Sequence, residues 1–492
     1  MATIPVRPII FIELANAWEI SHAFHTYSIE KQSIAGNFPH IKNTMTKYRL
    51  SAFGHTLDFS LEKIGEDDPI IIDPAPPQPS TGFKVGANAF PWTPMKLFSS
   101  IGMKWARVYC ASGWIWRPDG LFIQPMFQAE TQEAHGIDDM LLSAKANGVT
   151  PLLCIHQCPE WYRPTGRGDG NNDYAPTPAG AKRDDPASFK DYAAFLFQVA
   201  ARYGRVKHPD NILKVDTTPR WAGDIKNEKK TGLGLLEYIE PWNEPDKFWL
   251  KGTEAYFEPE ETAAMMSACY DGHEGALGAG VGIITADPSM KVAMPGITDF
   301  NMDYMNRMDA WFVKNRKDKK WPCSIIQAHH YSNYGNKKNQ IPAQWVNDGA
   351  CLPVDDKNFS SVTDFVAFAK SKNLPLIIGE FGADKVAPSQ MLAKGVGKTN
   401  EQFQSEIIIE SIKAYRDAGV DGVFVFTAPD DYGAADGGQF ETCGIFSNEA
   451  TGYRPFISAI ILKDYLETQL SVPAGNGVHP KNIRASAAKR PK

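Results

Sequence analysis

The sequence predicts an α/β fold: a closed (β/α)8 TIM barrel with a small N-terminal β-rich domain. Three observations lead to it. Short apolar segments alternate with amphipathic helical segments, eight such pairs follow one another, and a proline-rich stretch separates them from a first region without helical periodicity. The predicted parts are the β-rich domain (1–72), a linker (73–82), the barrel (83–472) and a C-terminal tail (473–492).

The first region favours strands. Its apolar stretches are short and separated by polar turns, as in RPIIFIEL (7–14) and YRLSAFGHTLDFSLEKI (48–64). It ends at IIIDPAPPQPSTG (70–82), where the density of proline opposes regular structure and favours an extended connector.

Eight apolar segments typical of buried strands follow, at 83–90, 104–111, 149–157, 233–245, 290–297, 324–332, 374–382 and 421–429. Each precedes a helical segment, such as 188–204 or 400–419. Continuous apolar strands covered by helices indicate a parallel sheet. Eight units favour a closed barrel, and an open doubly wound sheet is the alternative, although the glycine-rich phosphate loop that often marks it is missing.

Composition excludes several classes of partner. The net charge is −6 without long runs of like charge, which argues against nucleic acid, and no apolar run of membrane-spanning length occurs. The seven cysteines do not suggest a disulfide framework, and Cys154 and Cys158 lack a second pair at zinc-ligand spacing. The first twenty residues do not resemble a signal peptide, so the protein is expected in the cytoplasm unless a leader preceded them.

Two glutamates stand where predicted strands end. Glu244 follows strand four in EYIEPWNEPDKFW (237–249), and Glu380 follows five apolar residues and a glycine at the end of strand seven. A strand interior disfavours charge and proline, so both segments are leaving the sheet there. Closure of eight strands would bring these glutamates, 136 residues apart in sequence, to opposite sides of one barrel mouth.

Two facing carboxylates are what glycoside hydrolysis requires. One protonates the leaving oxygen, and the other attacks the anomeric carbon or activates water. A separation of about 5 to 5.5 Å gives retention of configuration, and about 6.5 to 9.5 Å gives inversion. Trp242 would help to keep an acid protonated, and Arg107, on strand two, could keep a nucleophile ionised.

These residues resemble a known clan. Asn243-Glu244-Pro245 on strand four, Glu380 in GEFG on strand seven and His329-His330-Tyr331 on strand six are similar to the retaining (β/α)8 glycoside hydrolases that include family 5 cellulases and mannanases and family 39 xylosidases. The resemblance extends over about residues 104 to 384. It implies carbohydrate as substrate, no cofactor, no metal in the chemistry and export to the extracellular space or periplasm.

The resemblance also implies roles. Glu244 would be the general acid/base and Glu380 the nucleophile. The other residues would position or bind the substrate: Asn243 at the 2-hydroxyl, Tyr331 and Arg107 beside Glu380, His329 at the imidazole position of a His-x-Tyr pattern, and His156 at the end of strand three. Family 5 members carry tryptophan at the end of strand eight, whereas this chain has Phe426 and Thr427 there.

Several other side chains could contact sugar. Aromatic residues beside strand ends, among them Trp116 and Trp249, could stack on sugar rings or pack under loops. Asp430 and Asp431 could bind hydroxyl groups or be solvated. Asp169, Asn171 and Asp173 alternate as in a calcium loop but lack its glycine and terminal glutamate, so structural calcium is a minor alternative.

Two other functions remain open. A non-catalytic carbohydrate-binding protein would keep the aromatic residues but lose one of the two glutamates, and both are present. A metal-dependent barrel hydrolase would need His-x-His at a strand end, whereas His329 and His330 are adjacent and should point to opposite faces.

Overall fold

The computed structural model describes residues 29–33, 46–52, 55–61, 82–118, 136–163, 173–215, 228–331, 361–383, 385, 400–430 and 441–469. The chain forms two compact units, Met1–Asp73 and Pro74–Lys492. In the first unit, three strands, Ile29–Ser33, Thr46–Ala52 and His55–Leu61, form an antiparallel sheet in chain order. The second unit contains the predicted barrel.

The barrel strands are β1 (Lys84–Ala89), β2 (Trp105–Ala111), β3 (Thr150–His156), β4 (Tyr238–Glu240), β5 in two segments (Lys291–Val292 and Ile297–Thr298), β6 (Ile326–His329), β7 (Leu376–Phe381) and β8 (Gly422–Val425). All neighbouring strands are parallel. The first segment of β5 pairs with β4 and its second segment pairs with β6. The sheet therefore closes on itself through β5.

Ten α-helices lie among the described residues of this unit: α1 (Lys96–Ser100), α2 (Ser112–Ile115), α3 (Ile137–Ala146), α4 (Lys190–Tyr203), α5 (Pro259–Asp271), α6 (Ile283–Ala286), α7 (Met302–Asn315), α8 (Val362–Ser371), α9 (Asn400–Ala418) and α10 (Ile457–Gln469). None of the helices described is long and apolar enough to cross a membrane.

Two apolar clusters hold the barrel together. The larger packs strands against helices, as the continuous burial of β1, β2 and β7 requires. The smaller takes its buried members from β3, β7 and β8, at Leu152, Ile377 and Phe424, and from the residues directly beside β5 and β6, at Ala293 and Ile325. It fills the barrel interior in the manner of the side-chain layers of this fold, so that the open mouth lies at the carboxyl ends of the strands.

Candidate active site

Arg107 of β2 forms hydrogen bonds with several side chains at the barrel mouth. Its guanidinium donates to both oxygens of Glu240 at 2.7 and 2.8 Å, to Asn88 Oδ1 at 2.9 Å, to Glu380 Oε1 at 2.9 Å and to Asn243 Oδ1 at 2.7 Å. Arg107 and Glu240 are completely buried. The planar guanidinium, with its several donors, thus fixes side chains from β1, β4 and β7 relative to one another.

Glu380 is surrounded by donors. The hydroxyl of Tyr331 donates to Oε2 at 2.8 Å, and that of Tyr109 donates to Oε1 beside the Arg107 contact. Burial, with the nearby Glu380 charge, raises the pKa of Tyr331 well above its ordinary value. Burial does the same to the pKa of Tyr109. Both phenols therefore remain protonated donors to the carboxylate at neutral pH.

The side chain of His329 contacts both Glu244 and Glu380. The imidazole Nδ1 lies 2.8 Å from Glu244 Oε1 and 3.1 Å from Glu380 Oε1, and since ionised carboxylates only accept hydrogen bonds, Nδ1 carries the hydrogen. Oxygens of the two glutamates lie within 4.8 Å of each other. The two carboxylates are therefore close enough to act on one bond held between them.

The ionisation of Glu244 reflects opposing effects. Burial alone would raise its pKa, but the hydrogen bond and charge of His329, with the charges of Lys247 and Arg107, lower it below the ordinary value. Glu244 is therefore a carboxylate at neutral pH.

A glycine beside His329 determines the geometry of this pair. Gly296 lies in the gap of β5, where its carbonyl accepts from the Glu244 backbone N–H at 2.9 Å and its own N–H donates to Glu240 at 3.1 Å. A Cβ at this position would lie 2.0 Å from His329 Nε2. Only glycine therefore allows the imidazole to reach both carboxylates.

The two adjacent histidines point to different places, as their spacing predicts. His329 lies between the glutamates, whereas the buried His330 has Nδ1 2.6 Å from the hydroxyl of Tyr415, on α9. Glu244, His329 and Glu380 bring three potential metal-ligand atoms together, but direct hydrogen bonds between them account for that proximity.

His156 borders the same mouth. Its ring meets that of Tyr109 edge-on at 5.1 Å, and burial, with the charges of Lys247 and Arg107, lowers its pKa to about 3. The imidazole is therefore neutral, able to donate from one nitrogen and accept at the other. Phe426, at the end of β8, lies edge-on to Tyr109 and Tyr331 at 6.4 and 6.2 Å, so an aromatic ring borders Glu380 although tryptophan is absent.

The two tryptophans predicted to contact sugar differ in their exposure. Trp116 is 2% exposed and its indole packs in the core, which favours the alternative that this ring packs under loops over contact with a sugar. Its neighbours there are Trp161, Tyr162, Tyr192 and Phe195. Trp249, after β4, is 56% exposed.

Two acidic residues with a predicted ligand role are in ion pairs. Asp430 accepts from Lys385 at 2.8 Å, and Asp173 pairs with Lys247 at 2.9 Å. Asp169, Asn171 and Asp431 lie outside the described residues, so the calcium hypothesis stays a prediction.

Three residues of the site escaped the sequence analysis, Asn88, Tyr109 and Glu240. Each is a polar residue inside an apolar strand segment, and Tyr109 stands two positions after Arg107, hence on the same face of β2. This spacing of two residues could have identified Tyr109 as a site residue beside Arg107. For Glu240 the signal was a charge within LEYIEP, which requires a buried partner.

No protein-family model matches the sequence, and no curated protein matches it. In structure, the chain is similar to a family 39 glycoside hydrolase from the gut symbiont Bacteroides cellulosilyticus WH2, with a TM-score of 0.51 and 11% identity over 87% of this chain and 71% of that one. The chain has the fold of that glycoside hydrolase. The predicted closed barrel, and with it the fold of the clan that the strand-end residues resemble, is confirmed, and the open doubly wound sheet is excluded.

Two other solved structures with this similarity are a GH1 β-glucosidase from Exiguobacterium antarcticum B7 (TM-score 0.46, 12% identity, 80% of this chain and 100% of that chain) and the β-glycosidase of the hyperthermophile Thermosphaera aggregans (TM-score 0.46, 11% identity, 81% and 98%). At 11% identity the similarity to the family 39 enzyme concerns the fold, and the activity has to be argued from the site.

Proposed function

We propose that the protein is a retaining β-glycoside hydrolase that cleaves a polysaccharide or oligosaccharide by double displacement. The observation that carries this proposal is the pair of carboxylates, Glu244 and Glu380, with oxygens within 4.8 Å of each other at the barrel mouth. A carbohydrate-binding protein would have no need for the buried donors that hold Glu380. These donors therefore favour the enzyme over the non-catalytic alternative.

The first step forms a covalent intermediate. A Glu380 oxygen attacks the anomeric carbon while the bond to the leaving oxygen breaks, and Glu244 gives its proton to that oxygen. In the second step water attacks the same carbon, Glu244 takes its proton, and Glu380 departs as a carboxylate. Two inversions give net retention, and both steps use only these residues and water, without metal or cofactor.

The surrounding side chains support these roles. Tyr109, Tyr331 and Arg107 aim donors at Glu380, which would orient its oxygens for attack and stabilise it as a leaving group in the second step. Asn243, which accepts a hydrogen bond from Arg107, would bind the hydroxyl next to the reacting carbon. His156 and Phe426 would line the pocket for the sugar.

Substrate binding has to protonate Glu244. Burial raises its pKa, but the nearby positive charges lower it overall, and a sugar that excludes water would strengthen the effect of burial. The wider proposal includes export, because a polymeric substrate would be met outside the cell.

The direct test is the stereochemistry of hydrolysis. Wild type would be incubated with aryl β-glycosides and β-linked polysaccharides, and the first anomer formed identified by NMR. We expect the β anomer, and Glu244→Ala with azide should yield a β-glycosyl azide. An α product would refute retention, whereas sugar binding without hydrolysis of any substrate would favour the binding protein.

Gly296→Ala should disturb the arrangement of His329, Glu244 and Glu380 while the barrel still folds. The added methyl group displaces His329, so we expect kcat/KM to fall by about 100-fold or more, within the range for a misplaced catalytic group. The matched control is Gly113→Ala, because the nearest atom to its new Cβ would be 3.5 Å away. Equal activity of the two variants would contradict the role assigned to Gly296.

A further inference from the structure

The exposed large hydrophobic side chains of the described residues fall into two groups. The aliphatic ones lie on helices α3, α7 and α10 around the barrel, at Leu142, Val313, Ile460 and Ile461. The aromatic ones, Trp92, Phe248 and Trp249, all follow the carboxyl end of a barrel strand, β1 or β4. Exposure of flat apolar rings at the functional end of the fold indicates a binding surface.

The first aromatic surface consists of Phe248 and Trp249, which are 42% and 56% exposed. Their rings meet edge-on at 5.0 Å on a short 3-10 turn, four and five residues after Glu244. The preceding residue, Lys247, is buried and paired with Asp173, which anchors the turn. The rings therefore project from a fixed support.

The position of Glu244 tells which part of a substrate this surface would meet. The general acid gives its proton to the oxygen of the leaving group, so it stands on the leaving-group side of the scissile bond. Phe248 and Trp249 follow it on the same loop. A sugar released by cleavage would lie against their rings.

The second aromatic surface is centred on Trp92, which is 44% exposed. Its ring stacks on Phe90 at 5.1 Å with an interplanar angle of 5°, and Phe90 stacks on Tyr109 at 5.8 Å. Tyr109 in turn donates to Glu380. A continuous row of rings thus extends from Tyr109, beside the nucleophile, to Trp92 after the end of β1. In the barrel β1 is three strands away from β4, which precedes Phe248 and Trp249.

We infer that Phe248–Trp249 and Trp92 are subsites on opposite sides of the cleavage point, so that the enzyme cuts within a β-linked chain of three or more sugars. The inference rests on the proposed function. The stacked C–H faces of β-linked sugars fit exposed aromatic rings, and a single-sugar substrate would leave one of the two surfaces unused.

Two substrates distinguish the surfaces. An aryl β-disaccharide places both sugars on the Trp92 side and its aryl group on the other, whereas a β-linked hexasaccharide reaches both sides. For Trp249→Ala we expect kcat/KM on the hexasaccharide to fall about three- to tenfold, the range expected for one lost ring contact, and kcat/KM on the aryl disaccharide to fall less. Trp92→Ala should reduce both. Val313→Ala, an exposed apolar residue on α7, is the control and should change neither.

Binding provides an independent readout. The affinity of Glu244→Gln for β-linked di- to hexasaccharides, measured by calorimetry, should rise with chain length, and the rise should be smaller after Trp249→Ala or Trp92→Ala. Equal losses on both substrates in Trp249→Ala, or an affinity independent of length, would overturn the inference. Wild type without hydrolysis of any substrate would instead refute the proposed function, and the binding series would still decide whether the two surfaces bind sugar.

Discussion

Replacement of Glu380 by alanine is expected to reduce kcat by about 10,000-fold or more, an effect comparable to removal of a nucleophile in other covalent enzymes. The loss follows from the site itself, because Tyr109, Tyr331 and Arg107 all direct their donors at a carboxylate that would be gone. Azide fits the vacated space and can attack the anomeric carbon directly. The product should then be an α-glycosyl azide, identified by NMR.

The stereochemistry of rescue is the decisive part of this experiment. Glu244→Ala should give the β-glycosyl azide, because the covalent intermediate still forms on Glu380. Glu410→Ala, on the outer surface of α9, is the control and should retain wild-type kcat. Hydrolysis by Glu380→Ala within tenfold of wild type would exclude Glu380 as the nucleophile.

Arg107→Met should produce the largest loss of stability. It leaves Glu240, which is completely buried, without its bidentate partner and Glu380 without its cation. Loss of one member of a buried ion pair costs about 3–5 kcal/mol, since the remaining charge stays away from water. Urea unfolding at neutral pH should report a decrease of that size in the free energy of unfolding.

An exposed arginine provides the comparison. Arg205 pairs with Glu237 at 3.1 Å on the surface, so Arg205→Met should change the free energy of unfolding by at most about 1 kcal/mol. The double variant Arg107→Met/Glu240→Gln should recover part of the loss, because it removes the unpaired charge. If Arg107→Met were no more destabilising than Arg205→Met, the stability of the barrel would not depend on the Arg107–Glu240 ion pair.

The sequence predicts the barrel because strand and helix patterns are local. Eight apolar segments with amphipathic helices between them specify both the elements and their parallel arrangement, and the ends of strands four and seven identify Glu244 and Glu380. The adjacency of His329 and His330 likewise predicts that only one of them enters the mouth. Each of these inferences needs only the spacing of residues along a single segment.

The burial of an individual aromatic side chain cannot be predicted from local patterns in this way. Trp116 and Trp249 stand in similar sequence surroundings, yet the first is enclosed by four aromatic rings and the second is exposed. Burial of a loop residue depends on which distant segments pack over it. Its own neighbours in sequence carry little of that information.

What the sequence alone determined is therefore the order of the elements and the chemical type of the residues at the strand ends. Only the tertiary structure decided how they meet: that Arg107 joins β1, β4 and β7, that Gly296 leaves room for His329, and that His329 contacts both glutamates. The physical reason is that hydrogen bonds and close packing act over a few ångströms between residues far apart in sequence, so they exist only once the barrel has closed.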